Sequence, residues 1–132
     1  MNTLIIHIGA SSDFFGGYAE NCSGIYGSGA TIEECKANTL EGLRLLVESR
    51  KREDLPDILQ NEYVIEYHYD VQSILKYYSG IFSKSALERL TGINQKQLHH
   101  YASGMTKPRQ AQVKKIESAF HKLGAELCAI HL

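Results

Sequence analysis

Residues 95–100 read QKQLHH, two glutamines, a lysine and two histidines around a single leucine. A glutamine amide can bond bidentately to adenine N6 and N7, and a lysine ammonium can donate to guanine O6 and N7. Lys84 precedes this run, and Lys107 and Arg109 follow it, where cations suit phosphate oxygens. The chemistry on offer is the recognition of nucleic acid. Metal chemistry is not expected, because adjacent helical residues such as His99 and His100 point about 100° apart and make no ligand pair. Hydrolysis by paired metals would need several converging carboxylates. The predicted strands offer only Glu20 and Glu66, with Asp13 and Asp70 at turns. No catalytic set, metal or cofactor is therefore expected, and the chain is read as a non-enzyme. His7 and His68 lie on predicted strands, facing solvent or bonding within the core. Cys22 lies in a turn with no neighbouring base or cation in sequence to activate it.

The elements that must hold QKQLHH can be read on either side of it. Ser83 caps a predicted helix over 84–90, and Asn94 caps another over 95–103. Thr91, Gly92 and Ile93 form the tight turn between them. Two helices joined through a short glycine-containing turn make a helix-turn-helix. Leu87, Ile93 and Leu98 fall where the helices must pack on each other. Leu98 and Tyr101 point inward, which leaves Gln95, Lys96, His99 and His100 on outer faces. The free amides at the start of the second helix, under the Asn94 cap, are expected to suit a phosphate. An earlier helix over 73–78 ends at Gly80. A later one over 110–123 carries the stripe Val113, Ile116, Ala119, Phe120 and Leu123 and stops at Gly124. The tail GAELCAIHL alternates and reads as a strand over 125–131. It has no partner within a helical domain, so it predicts pairing with a second copy of the chain.

The first half has a different texture. Strands are predicted over 3–8, over 14–20 and over 25–28, with the Gly16–Gly17 pair marking a bulge or bend in the second. Their short loops predict antiparallel pairing. Thr31 and Glu34 form a capping box that starts a helix with Ile32, Cys35, Thr39, Leu43, Leu46 and Val47 on its buried face. Arg50, Lys51 and Arg52 are expected in its last turn, as a solvated helix end. Pro56 sits in a polar loop. YVIEYHY, over 63–69, alternates Tyr63, Ile65, Tyr67 and Tyr69 against Val64, Glu66 and His68, and its aromatic side reads as core or interface rather than a base-stacking platform.

The net charge of −1 conceals a division. Residues 1–70 hold five Lys/Arg against twelve Asp/Glu, a net of −7, and residues 71–132 hold nine against three, a net of +6. Two functional units are expected, 1–70 and 71–132, the second suited to a polyanion. The three cysteines are odd in number and widely spaced, as in a reducing cytoplasm. No apolar run approaches the ~20 residues needed to span a bilayer, and the start lacks a basic leader, so neither membrane insertion nor secretion is expected. The fold class is α+β: a β-β-β-α-β sheet-and-helix domain, then an all-helical domain with a possible dimerisation strand.

LERLTGINQKQLHHYASGMTKPR resembles the helix-turn-helix of the phage-repressor, Cro-like (XRE) family, including Gly-x-x-x-Pro-Arg after the reading helix. That resemblance implies base contacts from Gln95, Lys96 and His100, and phosphate contacts from Asn94, Lys84, Lys107 and Arg109. One position departs from the pattern. Four residues before Gly92 the family has a small residue and this chain has Glu88, so either the helices stand apart there or the glutamate turns to solvent. GGYAENCSGIYGSGATIEECKANTLEGLRLL resembles the N-terminal domain of HicB-type antitoxins, with Asn21-Cys22-Ser23 replacing that family's proline-rich turn. It implies a truncated ribonuclease-H-like unit. Taken together, the resemblances imply a homodimeric or larger antitoxin that binds operator DNA, represses its own operon and neutralises a small basic HicA-like toxin that cleaves mRNA. Two other functions compete: a stand-alone regulator whose first domain only assembles subunits, and a ribonuclease-H-like nuclease.

Overall fold

Alternation in the first strand sets the layout of the N-terminal part. In the computed structural model, which describes all of Met1–Leu132, β1 (Asn2–Ala10) buries Leu4, Ile6 and Ile8 completely and leaves Thr3, Ile5 and His7 half-covered. β2 (Phe15–Ala19) runs antiparallel to β1, and β3 (Tyr26–Gly29) antiparallel to β2. β4 (Tyr63–Tyr69) joins the other side of β1 in parallel, giving the order β3-β2-β1-β4. A parallel neighbour requires a crossover, and α1 (Ile32–Glu48) provides it. The four strands expected in the first half are all present. The antiparallel rule holds for the short loops, and β4, which follows the long connection, is the parallel exception.

The Gly16–Gly17 pair makes no bulge. The β1–β2 register runs unbroken from Ile6↔Ala19 to Ala10↔Phe15. Gly17 is instead a packing position: a Cβ there would lie 2.4 Å from Thr39 Oγ1. On β3 the approach is to backbone, since a Cβ on Gly27 would lie 2.3 Å from Thr39 N and one on Gly29 2.6 Å from Cys35 N. These glycines let α1 settle directly on the sheet. Its inward residues Ile32, Cys35, Thr39 and Leu43 are buried, and Leu46 and Val47 pack at the edge of the same core. Thr31 Oγ1 accepts from the Glu34 amide at 3.1 Å, while the Glu34 carboxylate reaches the Ala30 amide at 3.4 Å rather than the cap's own. α1 ends at Glu48, so Arg50, Lys51 and Arg52 lie beyond it and not in its last turn. Arg52 starts a 3-10 turn and donates to the Gln60 carbonyl at 2.5 Å and Asn61 Oδ1 at 2.7 Å. Those bonds tie down the loop after Pro56, which contains the short helix α2 (Asp57–Gln60) with Leu59 buried.

Only one face of this sheet is covered. Tyr63, Ile65, Tyr67 and Tyr69 lie half-buried on the α1 side, and Lys36 on α1 stands 4.4 Å over the Tyr67 ring. Burial pushes the Tyr67 phenol above its usual range, against the pull of Lys36. The opposite face carries Tyr26, Tyr18, His7 and His68 in one cross-strand row. Tyr18 and Tyr26 are 44% and 69% exposed.

The chain divides into two compact units after Ser73; α3 (Val71–Tyr78) crosses that point. The second unit continues with α4 (Lys84–Thr91), α5 (Gln95–Ser103) and α6 (Gln110–Cys128). α4 packs on both α5 and α6. Leu87, Ile93, Leu98, Tyr101 and Ile116 are buried, and Tyr78 stacks near Phe82 and Phe120. The expected terminal strand is absent. α6 runs through Gly124 to Cys128, and the Ala129 amide bonds back to the Ala125 and Glu126 carbonyls. Ala, Glu and Leu after Gly124 favour helix, which outweighs the ~1 kcal/mol cost of one interior glycine, and a strand would have no partner within the chain. No helix is long and apolar enough to cross a membrane.

Candidate nucleic-acid interface

The start of α5 is held by bonds from three side chains, those of Asn94, Thr91 and Glu88. Asn94 Oδ1 accepts from the Gln97 amide at 2.9 Å. Gly92 adopts the left-handed conformation (φ 72°), which a glycine reaches without strain, and its amide closes α4 on the Glu88 carbonyl at 2.8 Å. Thr91, buried at the elbow, donates to the Leu87 carbonyl at 2.8 Å and accepts from the Ile93 amide at 3.2 Å. No buried side-chain nitrogen or oxygen here lacks a hydrogen-bond partner. The angle between α4 and α5 is fixed by bonding as well as by Leu87, Ile93 and Leu98.

Glu88 supplies the third bond. It neither holds the helices apart nor escapes to solvent: half-buried, it accepts from the Gln95 amide through Oε1 at 3.0 Å. The glutamate caps α5 from the neighbouring helix. This narrows the expectation of free amides awaiting a phosphate, because the Gln95 and Gln97 amides are occupied and a carboxylate sits beside them. A phosphate brought to this side of α5 would have cationic side chains as its partners.

Gln95, Lys96 and His99 are exposed on α5, and His100 is half-buried in its last turn. The i,i+4 spacing puts Gln95 beside His99 and Lys96 beside His100, while Leu98 and Tyr101 are buried on the opposite side. Gly104 (φ 79°) ends α5, and the chain leads through Lys107 to Arg109, which precedes the first residue of α6. Lys84 is the first residue of α4, whose Ser83 cap accepts from the Ala86 amide at 3.1 Å. Lys84, Lys107 and Arg109 are exposed, and no carboxylate pairs with them. One cation went unrecognised in sequence. A Cβ on Gly92 would lie 3.7 Å from Lys115 Cε, so this α6 lysine lies beside the turn between α4 and α5. Helical periodicity marks Lys115 as exposed but cannot tell which neighbour it overhangs.

The acidic residues of the N-terminal unit do not converge. Asp70 accepts from the Ala10 amide at 3.2 Å and from the Ser73 amide at 2.7 Å, which ties β1 to the start of α3. Glu20 Oε1 meets His7 Nδ1 at 3.2 Å, and Glu66 Oε1 meets His68 Nε2 at 2.6 Å. No three His, Cys, Asp or Glu side chains gather where a metal ion could be held. Cys22 and Cys35 are buried, and burial pushes both thiols up; Arg50 pulls back on the first and a Thr39 hydrogen bond on the second. Raised, buried thiols are poor nucleophiles. Compared with models of known families, with curated proteins and with solved structures, the chain matches none.

Proposed function

We propose that this protein is a DNA-binding antitoxin, with a basic C-terminal unit that reads duplex DNA and an acidic N-terminal unit that recognises a partner protein. The observation that carries the reading is the α4–Gly92–α5 elbow, with Gln95, Lys96 and His99 exposed on α5 and unpaired Lys84, Lys107, Arg109 and Lys115 around them. In this reading α5 enters the major groove, Gln95 and Lys96 bond base edges, and the cations hold phosphates on either side. His99 and His100 add contacts along the same helix. The resemblance to HicB-type antitoxins supplies the partner: a small basic HicA-like toxin that cleaves mRNA. Inhibition is steric and electrostatic, the acidic unit covering the toxin's RNA-binding surface. DNA binding by a homodimer would then repress the protein's own operon.

Selection of binding sites from a random duplex pool tests the DNA half. The chain should enrich a site with paired half-sites. On that site Lys96→Ala and Gln95→Ala should each cost ~1–3 kcal/mol of base discrimination. Lys107→Ala and Arg109→Ala should weaken all duplexes alike and flatten the salt dependence by about one each in slope. Equal losses on selected and random DNA for all four variants would show that α5 is not the reading helix. Co-expression with a small basic toxin encoded beside the gene should restore growth. If no such toxin exists, the regulator function stands alone.

A further inference from the structure

The uncovered face of the N-terminal sheet has a chemistry that the sequence order hides. Cross-strand pairing lines up Tyr26, Tyr18 and His7, with ring centroids of His7 and Tyr18 5.3 Å apart. In the next row Ile5 pairs with Glu66 on β4, and on its other side the Glu20 amide bonds the Ile5 carbonyl at 2.8 Å. Successive rows on one face lie about 7 Å apart, within the reach of a single long side chain. Glu20 and Glu66 each engage a histidine through Oε1, which leaves the second oxygen of each carboxylate for another donor. No strand of the sheet contains a lysine or an arginine.

Rings beside carboxylates, with no lysine or arginine among them, select by charge. A nucleic acid could stack its bases on Tyr18 and Tyr26, but its phosphates would meet two carboxylates and no lysine or arginine. A guanidinium gains from both features, lying flat on a tyrosine while its N–H fork meets a carboxylate. The other side of the unit is less suited, because on α1 Glu41 and Glu48 are already paired with Arg44. We infer that the open sheet face, through Tyr18, Tyr26, Glu20 and Glu66, docks an arginine-bearing segment of a cationic protein. The inference rests on the protein-recognition role proposed for the N-terminal unit, and it names the surface and the partner's chemistry.

The test is an NMR titration of the isotope-labelled full chain with three probes: a short glycine-arginine peptide, its glycine-lysine counterpart and an oligouridine. The arginine peptide should shift the amides of Tyr18, Tyr26, Ile5 and Glu66, and bind about threefold or more tighter than the lysine peptide. Oligouridine should leave these amides unmoved. Glu20→Gln combined with Glu66→Gln should weaken the arginine peptide about tenfold, and Tyr18→Ala should do so severalfold. Unchanged Leu4 and Ile6 amides would report that the variants remain folded. Shifts confined to α1, an equal response to both peptides, or oligouridine binding on these tyrosines would overturn the inference. Peptide binding here without rescue from any toxin would defeat the antitoxin function alone. Rescue of a toxin by the Tyr18 and glutamate variants would defeat the docking surface alone.

Discussion

Glu88 shows how one side chain can serve the fold at the expense of the DNA contact proposed beside it. Its carboxylate takes the Gln95 amide at 3.0 Å, a bond of the kind whose loss from a helix start costs ~0.5–2 kcal/mol. In the proposed complex the same charge would repel a phosphate approaching the start of α5. Two substitutions separate the effects. Glu88→Gln keeps an acceptor for the amide and removes the charge, so duplex affinity should rise at low salt with melting temperature nearly unchanged. Glu88→Ala should raise affinity similarly but lose about 1 kcal/mol of stability. Calorimetry with a binding titration checks both, and weaker DNA binding by Glu88→Gln would mean that the carboxylate positions α5 in a way an amide cannot.

At the scale of elements, two glycines illustrate opposite uses. Gly27 on β3 faces α1 so closely that a Cβ would lie 2.3 Å from the Thr39 amide nitrogen. Backbone cannot move aside as a side chain does, so Gly27→Ala should destabilise the N-terminal unit by at least the ~1–3 kcal/mol usual for overpacking. Gly124 sits inside α6 without a positive φ, and a Cβ there meets nothing within 4 Å. Gly124→Ala should stabilise α6 by about 1 kcal/mol through helix propensity. Thermal melts followed by circular dichroism would read both. A neutral Gly27→Ala would show that α1 can shift off the sheet.

For the whole molecule, the division of charge and the end of α6 belong together. The unit carrying α4 and α5 has the positive excess, nine Lys/Arg against three Asp/Glu over residues 74–132, yet on the proposed DNA-binding reading a single helix-turn-helix would contact too few base pairs to select a site. The apolar stripe of α6 runs Val113, Ile116, Phe120, Leu123 and Leu127, and Ile130, just past its end, keeps the alternating three- and four-residue spacing of a coiled-coil seam. Its inner part is covered, with Ile116 buried, but Leu127 and Ile130 are 55% and 57% exposed. A second copy of the chain presents the same stripe, and a two-fold axis would bring the two together. Leu127→Asp with Ile130→Asp should therefore halve the mass seen in sedimentation and weaken binding to a paired site at least about tenfold, with helix content retained. Unchanged mass and affinity would rule out this end of α6 as the dimer contact.

Local signals were legible because they are written within one turn or one strand. β4 runs over Tyr63–Tyr69 and α5 over Gln95–Ser103, the spans read from alternation and from the Asn94 cap. The Thr31 cap and the inward face of α1 follow from spacing alone. The α4–Gly92–α5 pair was readable for the same reason: caps, a glycine turn and two short amphipathic stretches specify it locally. Non-local partners were not legible. Nothing in Glu88 itself says that it will cap α5, and nothing in Lys115 says that it will overhang Gly92. Tyr18 and Tyr26 lie on strands of small residues, and only the antiparallel register brings them side by side with His7. The tail alternates like a strand, yet it is helical through Cys128, because a strand requires a partner whereas a helix satisfies its backbone from within. The sequence by itself determined where the capped helices α1, α4 and α5 begin and which faces they and β4 bury. Tertiary structure decided which strands are neighbours, which amides are already taken and which rings share a face, because those contacts join residues far apart along the chain.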